Sequence, residues 1–197
     1  VTPDMLTEIL ARRAAGTTLT LATRLPDGFQ MLLPDPMAPL ALNESAAVGL
    51  ASDEARTVQV GAEKWFLQIE APAPRLLIVG AVHIAQALAP MAALAGYAAT
   101  IIDPRRGFAT TDRFPNARLI LAWPDEALNA LTPDDRTAVV TLTHDPKLDD
   151  PALDVALRTG VFFIGALGSR KTHASRLERL AARGHTPEAL ARVRGPV

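Results

Sequence analysis

The chain contains no cysteine, which excludes disulfides, thiolate metal ligands and cysteine nucleophiles within it. It has almost no net charge. A formal value of −1 over 197 residues gives no bulk electrostatic case for binding nucleic acid or an anionic membrane. No apolar run approaches the roughly 20 residues needed to span a bilayer. No signal-peptide pattern opens the chain at Val1, and neither an internal repeat nor a low-complexity tract follows. A reducing, cytoplasmic location is the expectation. What remains is 49% hydrophobic and 21% charged, a globular balance in a chain long enough for one large domain or two small ones.

Residues 1–74 read as a small β-rich α+β domain. Met5, Leu6, Ile9 and Leu10 have helical spacing and Gly16 is placed to end the helix. Thr17–Thr23 alternates hydroxyl and apolar residues as a half-buried strand does. Pro26-Asp27-Gly28 then signals a turn into a hairpin partner at Phe29–Leu33. Pro34, Pro36 and Pro39 predict an irregular stretch, with Asn43, Glu44 and Ser45 as turn residues. Thr57–Val60 and Trp65–Ile69 read as two more strands.

Residues 75–197 change pattern. The apolar run Leu76-Leu77-Ile78-Val79 stops at Gly80, and an alanine-rich helical pattern follows to Gly96. A short apolar run between breakers predicts a strand buried on both faces, and the helix after it opens a parallel βαβ unit. Further strands are predicted at Thr100–Ile102, Leu119–Leu121, Ala138–Leu142 and Val161–Gly165, followed by a basic helix from Ser169. Five such units in series predict a Rossmann-like, doubly wound, mostly parallel sheet.

In open α/β sheets ligands sit beyond the carboxyl ends of the strands. Those ends carry Gly80 and His83, then Asp103, Arg105 and Arg106, then His144-Asp145, then Gly165 to Lys171. In a dinucleotide loop one glycine allows the turn and a second lets the backbone approach the pyrophosphate. Gly80 suits the first task, whereas Val82 stands where the second glycine belongs. Asp103, about twenty residues on, has the place of a ribose-binding acid, so an NAD(P)-dependent oxidoreductase or another nucleotide-binding protein is one reading. Arg105 and Arg106 beside it favour a phosphate instead. His144-Asp145 with Asp149 and Asp150 invites a metal, although the spacing is irregular. Asp145 before Pro146 also suits a turn, and Asp149 or Asp150 suits a helix cap. Gly168-Ser169-Arg170-Lys171, with two cations at a helix start, suits an oxyanion. The same cations, continued through Arg176, Arg179 and Arg183, also describe a solvated helix face.

Four dispersed stretches, taken together, resemble the xanthine dehydrogenase accessory protein family (XdhC/CoxI). They are Leu77–Ala85, Ile102–Arg105 with Asp112–Pro115, Thr143–Asp149, and Phe163–Arg170. The resemblance implies a Rossmann-type C-terminal domain joined to a smaller N-terminal one. It further implies a chaperone, rather than a turnover enzyme, that binds molybdenum cofactor (molybdopterin) and protects or delivers it to a xanthine dehydrogenase-type molybdoenzyme. A cysteine desulfurase is a further implied partner. Carried over by motif, the ligand-contacting residues would be Gly80, His83, Asp103, Arg105, His144, Asp145, Gly168, Ser169 and Arg170, with no metal ligands and no catalytic residues. This sequence departs from the family at Val82, in lacking the N-terminal glycine-cysteine motif, and in ending at Gly195-Pro196-Val197 where the family's tail continues, an expectation of trimming or disorder there. An adaptor that only docks to an enzyme is a third reading, and a homodimer is a further expectation.

Overall fold

The computed structural model describes residues 1–25 and 27–197. The chain divides into two compact units, Val1–Pro72 and Ala73–Val197.

In the first unit α1 (Pro3–Ala14) starts at Thr2, whose hydroxyl accepts from the Met5 N–H, with Pro3 at the first helical position. The strands β1 (Leu19–Leu25), β2 (Gln30–Leu33), β3 (Arg56–Val60) and β4 (Glu63–Glu70) form an antiparallel sheet in the order β2-β1-β4-β3. Pro26 of the expected turn lies outside the described residues. Beside it Asp27 accepts from the Phe29 N–H and from the Arg24 guanidinium, which also lies over the Phe29 and Trp65 rings.

One expectation is corrected here. Asn43, Glu44 and Ser45 belong to a helix, α2 (Leu40–Ser52), which packs Leu42 and Ala46 into the sheet core of Ala22, Leu33, Trp65 and Leu67 and buries Gly49 beside Ile69. The three prolines before it and the turn-forming Asn43 hide this helix from composition. Asn43 accepts from the Asp35 N–H and donates to the Asp35 carbonyl, so it bolts the proline-rich turn onto the helix.

The second unit is a six-stranded, all-parallel sheet. Its strands are β5 (Arg75–Val79), β6 (Ala98–Ile102), β7 (Arg118–Ile120), β8 (Thr137–Thr141), β9 (Phe163–Ala166) and β10 (Val193–Arg194), in the order β10-β9-β8-β5-β6-β7. Numbered within this unit, that is 6-5-4-1-2-3, the doubly wound dinucleotide-fold order. The sixth strand has only two residues, too short for a periodic signal.

Side chains alternate across a strand, and here both faces are covered. Leu77, Val79, Ile102 and Val139 cluster with Leu128 of α4 (Pro124–Leu131), Leu153 and Leu157 of α5 (Pro146–Leu157), and Leu180 of α6 (Arg170–Ala181). Leu76, Ile78, Ile101 and Val140 cluster instead with Ala85, Ala89 and Ala92 of α3 (His83–Leu94). This explains the uninterrupted apolar runs. The connection from β6 to β7 carries turns in place of a helix, and a short α7 (Pro187–Leu190) precedes β10.

Because α3 and α5 leave β5 and β8 toward opposite faces, the sheet's switch point falls between these two strands. There Gly80 has φ = 111°, and a methyl added to it would sit 2.5 Å from Thr143 Cγ2. Gly80→Ala therefore meets both backbone strain and a clash, and should lower unfolding free energy by about 3 kcal/mol. Gly107→Ala, which meets no atom within 4 Å, should stay within about 0.5 kcal/mol of the parent. Chemical denaturation of the two variants checks this, and equal stabilities would refute it.

Candidate functional site

Three of the loops that leave the carboxyl edge of the parallel sheet lead into α3, α5 and α6. In the first, between β5 and α3, the Gly80 N–H donates to the Ile102 carbonyl. The Ala81 N–H, which in a dinucleotide loop would be available to phosphate, donates to Asp103 Oδ2 at 2.8 Å. The Ala81 carbonyl accepts from Arg113, whose guanidinium also donates to the Phe108 carbonyl and to Gln86. Val82 takes the cap position of α3 without a side-chain hydrogen bond, and His83 opens the helix exposed.

Asp103 is fully buried. Its Oδ1 accepts from the backbone N–H and Nε of Arg105, both at 2.9 Å, and its Oδ2 from Ala81 and from Arg105 Nη2 at 2.7 Å. Four donors occupy its four principal acceptor directions, so the protein itself fills the place where a ribose hydroxyl would bond. Burial works to raise the Asp103 carboxyl, but the bonds from Arg105 and from two backbone N–H groups outweigh it and leave the group below the usual carboxylate range. Arg105 stacks over the Phe108 ring at 4.4 Å and also feels the carboxylates of Asp145 and Asp149.

In the second loop, between β8 and α5, His144 has φ = 61°, a left-handed conformation costly for a residue with a Cβ. Thr143 holds it there. Its hydroxyl accepts from the Asp145 N–H at 3.1 Å and donates to Asp149 Oδ1 at 2.6 Å. Asp145, not Asp149 or Asp150, caps α5 by accepting from the Lys147 N–H, and the His144 ring is left exposed. Asp150 is committed instead to a two-pronged pair with Arg179. Among the described residues, no group of three or more histidines and acids is placed to hold a metal ion.

The third loop joins β9 to α6. Ser169 caps the helix by accepting from the Thr172 N–H, while Arg170 and Lys171 stand exposed in the first turn. Gly168 has φ = 152°, and a methyl there would lie 3.3 Å from Thr172 and 3.7 Å from Arg176 Nη2. Arg176 is 1% exposed and is not part of the solvated face that its neighbours in sequence suggest. Its Nη2 donates to the Leu167 carbonyl at 2.8 Å and lies 3.5 Å from Asp149 Oδ2. Burial pushes the Asp149 carboxyl up, against the pull of the Thr143 hydroxyl and the Arg176 charge. Asp149 Oδ2 and Arg176 Nε and Nη1 have no hydrogen-bond partner among the described residues.

The loops therefore meet through Thr143, to which the sequence assigned no role of its own, and through Asp149 and Arg176, to which it assigned other roles. Thr143 touches the Gly80 loop with its methyl and Asp149 with its hydroxyl, and Asp149 reaches Arg176 beneath the Gly168 turn. The structure thereby brings His144, Asp145, Gly168 and Ser169 onto one connected edge. Asp103 and Arg105 close the first loop, and His83 lies at the start of α3. A usable signal for Arg176 existed: it falls four residues before Leu180, on the apolar stripe of α6, where a solvated cation does not belong.

Fold and edge together define a Rossmann-type domain whose nucleotide loop is closed from within. The family model for the XdhC Rossmann domain matches residues 76–197, more than half of the chain, and the chain belongs to that family. It is 34% identical over 126 residues to the molybdenum cofactor insertion chaperone PaoD of Escherichia coli, covering 64% of this chain and 33% of that protein. It is 32% identical over 123 residues to a Bacillus subtilis protein named as a probable subunit of xanthine dehydrogenase, covering 62% and 36%. The chain thus spans about one third of the length of these curated relatives. A crystal structure described as a xanthine dehydrogenase of Bacillus halodurans shares the fold with a TM-score of 0.73 at 20% identity, over 98% of this chain and 59% of that one. Among the described residues, no helix is long and apolar enough to cross a membrane.

The Asp103 clamp has a signed pH dependence. Its folded-state value is depressed below the ordinary 3.8, so its contribution is present above that value and is lost as pH falls through the lower, folded-state one. Asp103→Asn should cost about 2 kcal/mol near neutrality, and the gap to the parent should close in strongly acidic buffer. Urea titrations of both proteins from pH 7 to pH 2.5 measure it. A gap independent of pH would rule out the charged clamp.

Proposed function

We propose that this chain is an accessory factor in the maturation of a xanthine dehydrogenase-type molybdoenzyme, holding molybdenum cofactor at the carboxyl edge of its parallel sheet and passing it to the apoenzyme. Family membership and the name of the chaperone relative support the maturation role. One observation carries the assignment to this edge. The loop that would take a dinucleotide is closed by Asp103 and Arg113, while the adjoining edge presents His144, Ser169, Arg170 and Lys171 to solvent.

The residues fit the group. Gly168 leaves a cradle that a side chain would fill, Arg170 and Lys171 supply positive charge for an oxyanion, and His144 and Asp145 offer hydrogen-bond partners to a polar heterocycle. The cofactor supplies the redox chemistry in the client enzyme. This chain's residues bind and orient it. Asp103, Arg105 and Gly80 act by fixing the wall of the site, and His83 borders it. Sulfur for the cofactor would come from a partner, a role we assign to a cysteine desulfurase. This reading places the protein in the cytoplasm.

The test is copurification. The chain, produced in a host that makes molybdenum cofactor, should retain near-stoichiometric molybdenum and pterin and should raise the activity of a cofactor-free hydroxylase. His144→Ala or Arg170→Ala should each reduce retained molybdenum about tenfold, as expected for loss of one charge-assisted contact. Absence of both retention and transfer would defeat the reading. Saturable NAD(H) or NADP(H) binding below about 1 mM, a Kd that still corresponds to 4.1 kcal/mol, would favour the dinucleotide reading instead.

A further inference from the structure

The helix starts on the carboxyl edge differ in the charge placed beside them. Asp103 lies against the start of α3 through Ala81, α4 carries Asp125 and Glu126 in its first turn, and α5 is capped by Asp145 with Asp149 in its first turn. The first turn of α6 has no acid and carries Arg170 and Lys171. There the Thr172 N–H is taken by the Ser169 hydroxyl and the His173 N–H by the Ser169 carbonyl. The backbone N–H groups of Arg170 and Lys171 have no partner among the described residues.

A second observation is independent of the helix. The Arg176 guanidinium is 1% exposed, lies against Gly168, and leaves Nε and Nη1 without hydrogen-bond partners. A buried cation bonded at one nitrogen is costly unless charge nearby compensates it. Asp149 does so only in part, at 3.5 Å and with one oxygen also unbonded.

We propose that the Gly168–Lys171 turn, backed from inside by Arg176, is a subsite for a phosphate-class dianion, and that Asp149 holds the Arg176 charge in check when the subsite is empty. The proposal deepens the cofactor reading and rests on it only for the source of the phosphate. The dianion completes the compensation of Arg176, and the exposed Arg170 and Lys171 guide it in. Gly168 keeps the approach clear.

Amide NMR of the labelled chain titrated with inorganic phosphate tests this. The Ser169, Arg170 and Lys171 resonances should shift saturably, with sulfate competing, while Gly80 to His83 stay fixed. Lys171→Glu, an exposed change, should weaken phosphate about tenfold. Asp149→Asn should tighten it severalfold, because removing the counter-charge leaves Arg176 unopposed. A residue that served only packing would loosen binding or leave it unchanged. Shifts confined to Gly80–His83, no saturation, or weaker binding in a natively folded Asp149→Asn would each overturn the subsite.

A phosphate monoester and a dinucleotide pyrophosphate, run beside inorganic phosphate, distinguish an ester tail from a free ion or a nucleotide. Molybdenum retention on the same samples separates the two ideas. Phosphate binding with neither retention nor transfer upholds the subsite and refutes the cofactor reading, and retention with no response to phosphate does the reverse.

Discussion

Thr143 is the point on which the edge of the parallel sheet depends. Its methyl occupies the space that a side chain on Gly80 would need, and its hydroxyl serves both the Asp145 N–H and Asp149. The first contact presses β5 and β8 together at the switch point. The second fixes His144 in a left-handed conformation and aims a buried carboxylate at Arg176. Loss of the hydroxyl would leave Asp149 to the Thr143 backbone N–H and to the Arg176 charge at 3.5 Å. A buried ion pair is weak evidence for stability, since desolvation consumes most of what Coulomb attraction returns. Its value here is positional. One line of contacts sets the start of α5 and the start of α6 in register, so two loops separated by more than twenty residues present a single face.

The sheet order is that of a dinucleotide-binding fold, yet the loop that defines such folds is closed. Closure is an electrostatic as well as a steric matter. A pyrophosphate at the Gly80 loop would have to displace Asp103 from the Ala81 N–H and then remain beside that carboxylate. Arg105 neutralises the carboxylate but is itself consumed by it, through three hydrogen bonds. Val82 therefore accompanies a deeper change: the backbone donor of this loop is already used. The fold survives because its stability lies in the two apolar layers, neither of which requires an open loop.

The legible parts of the sequence were those with a local cause. The strands of the parallel sheet stand out because burial on both faces forces uninterrupted apolar runs, and α4 announces itself by Pro124 and two acids in its first turn. Helix α2 was not legible. Proline and Asn43 are turn formers by local propensity, and only the tertiary burial of Leu42, Ala46 and Gly49 turns the segment into a helix. The same contrast governs the edge. Ser169 as a cap and Gly168 as a turn glycine follow from neighbours one to three residues away. The exhaustion of Asp103 depends partly on Ala81, twenty-two residues distant, and the burial of Arg176 depends on Asp149, from a different helix. Charge type is readable from a sequence, but its satisfaction is a property of the folded chain.

A carrier differs from an enzyme in having to let go. On the proposed reading, the direct contacts to the ligand come from Arg170, Lys171 and His144, all exposed, and interactions between exposed charges are weakened by salt and water. The strong, unscreened charge, Arg176, acts from beneath the Gly168 turn and is already shared with Leu167 and Asp149. Such a site recognises an anion without enclosing it. Where the ribose-binding carboxylate of a dehydrogenase would grip its cofactor, Asp103 grips the protein instead. Selectivity for charge combined with an open edge is what handing a cofactor to a second protein requires.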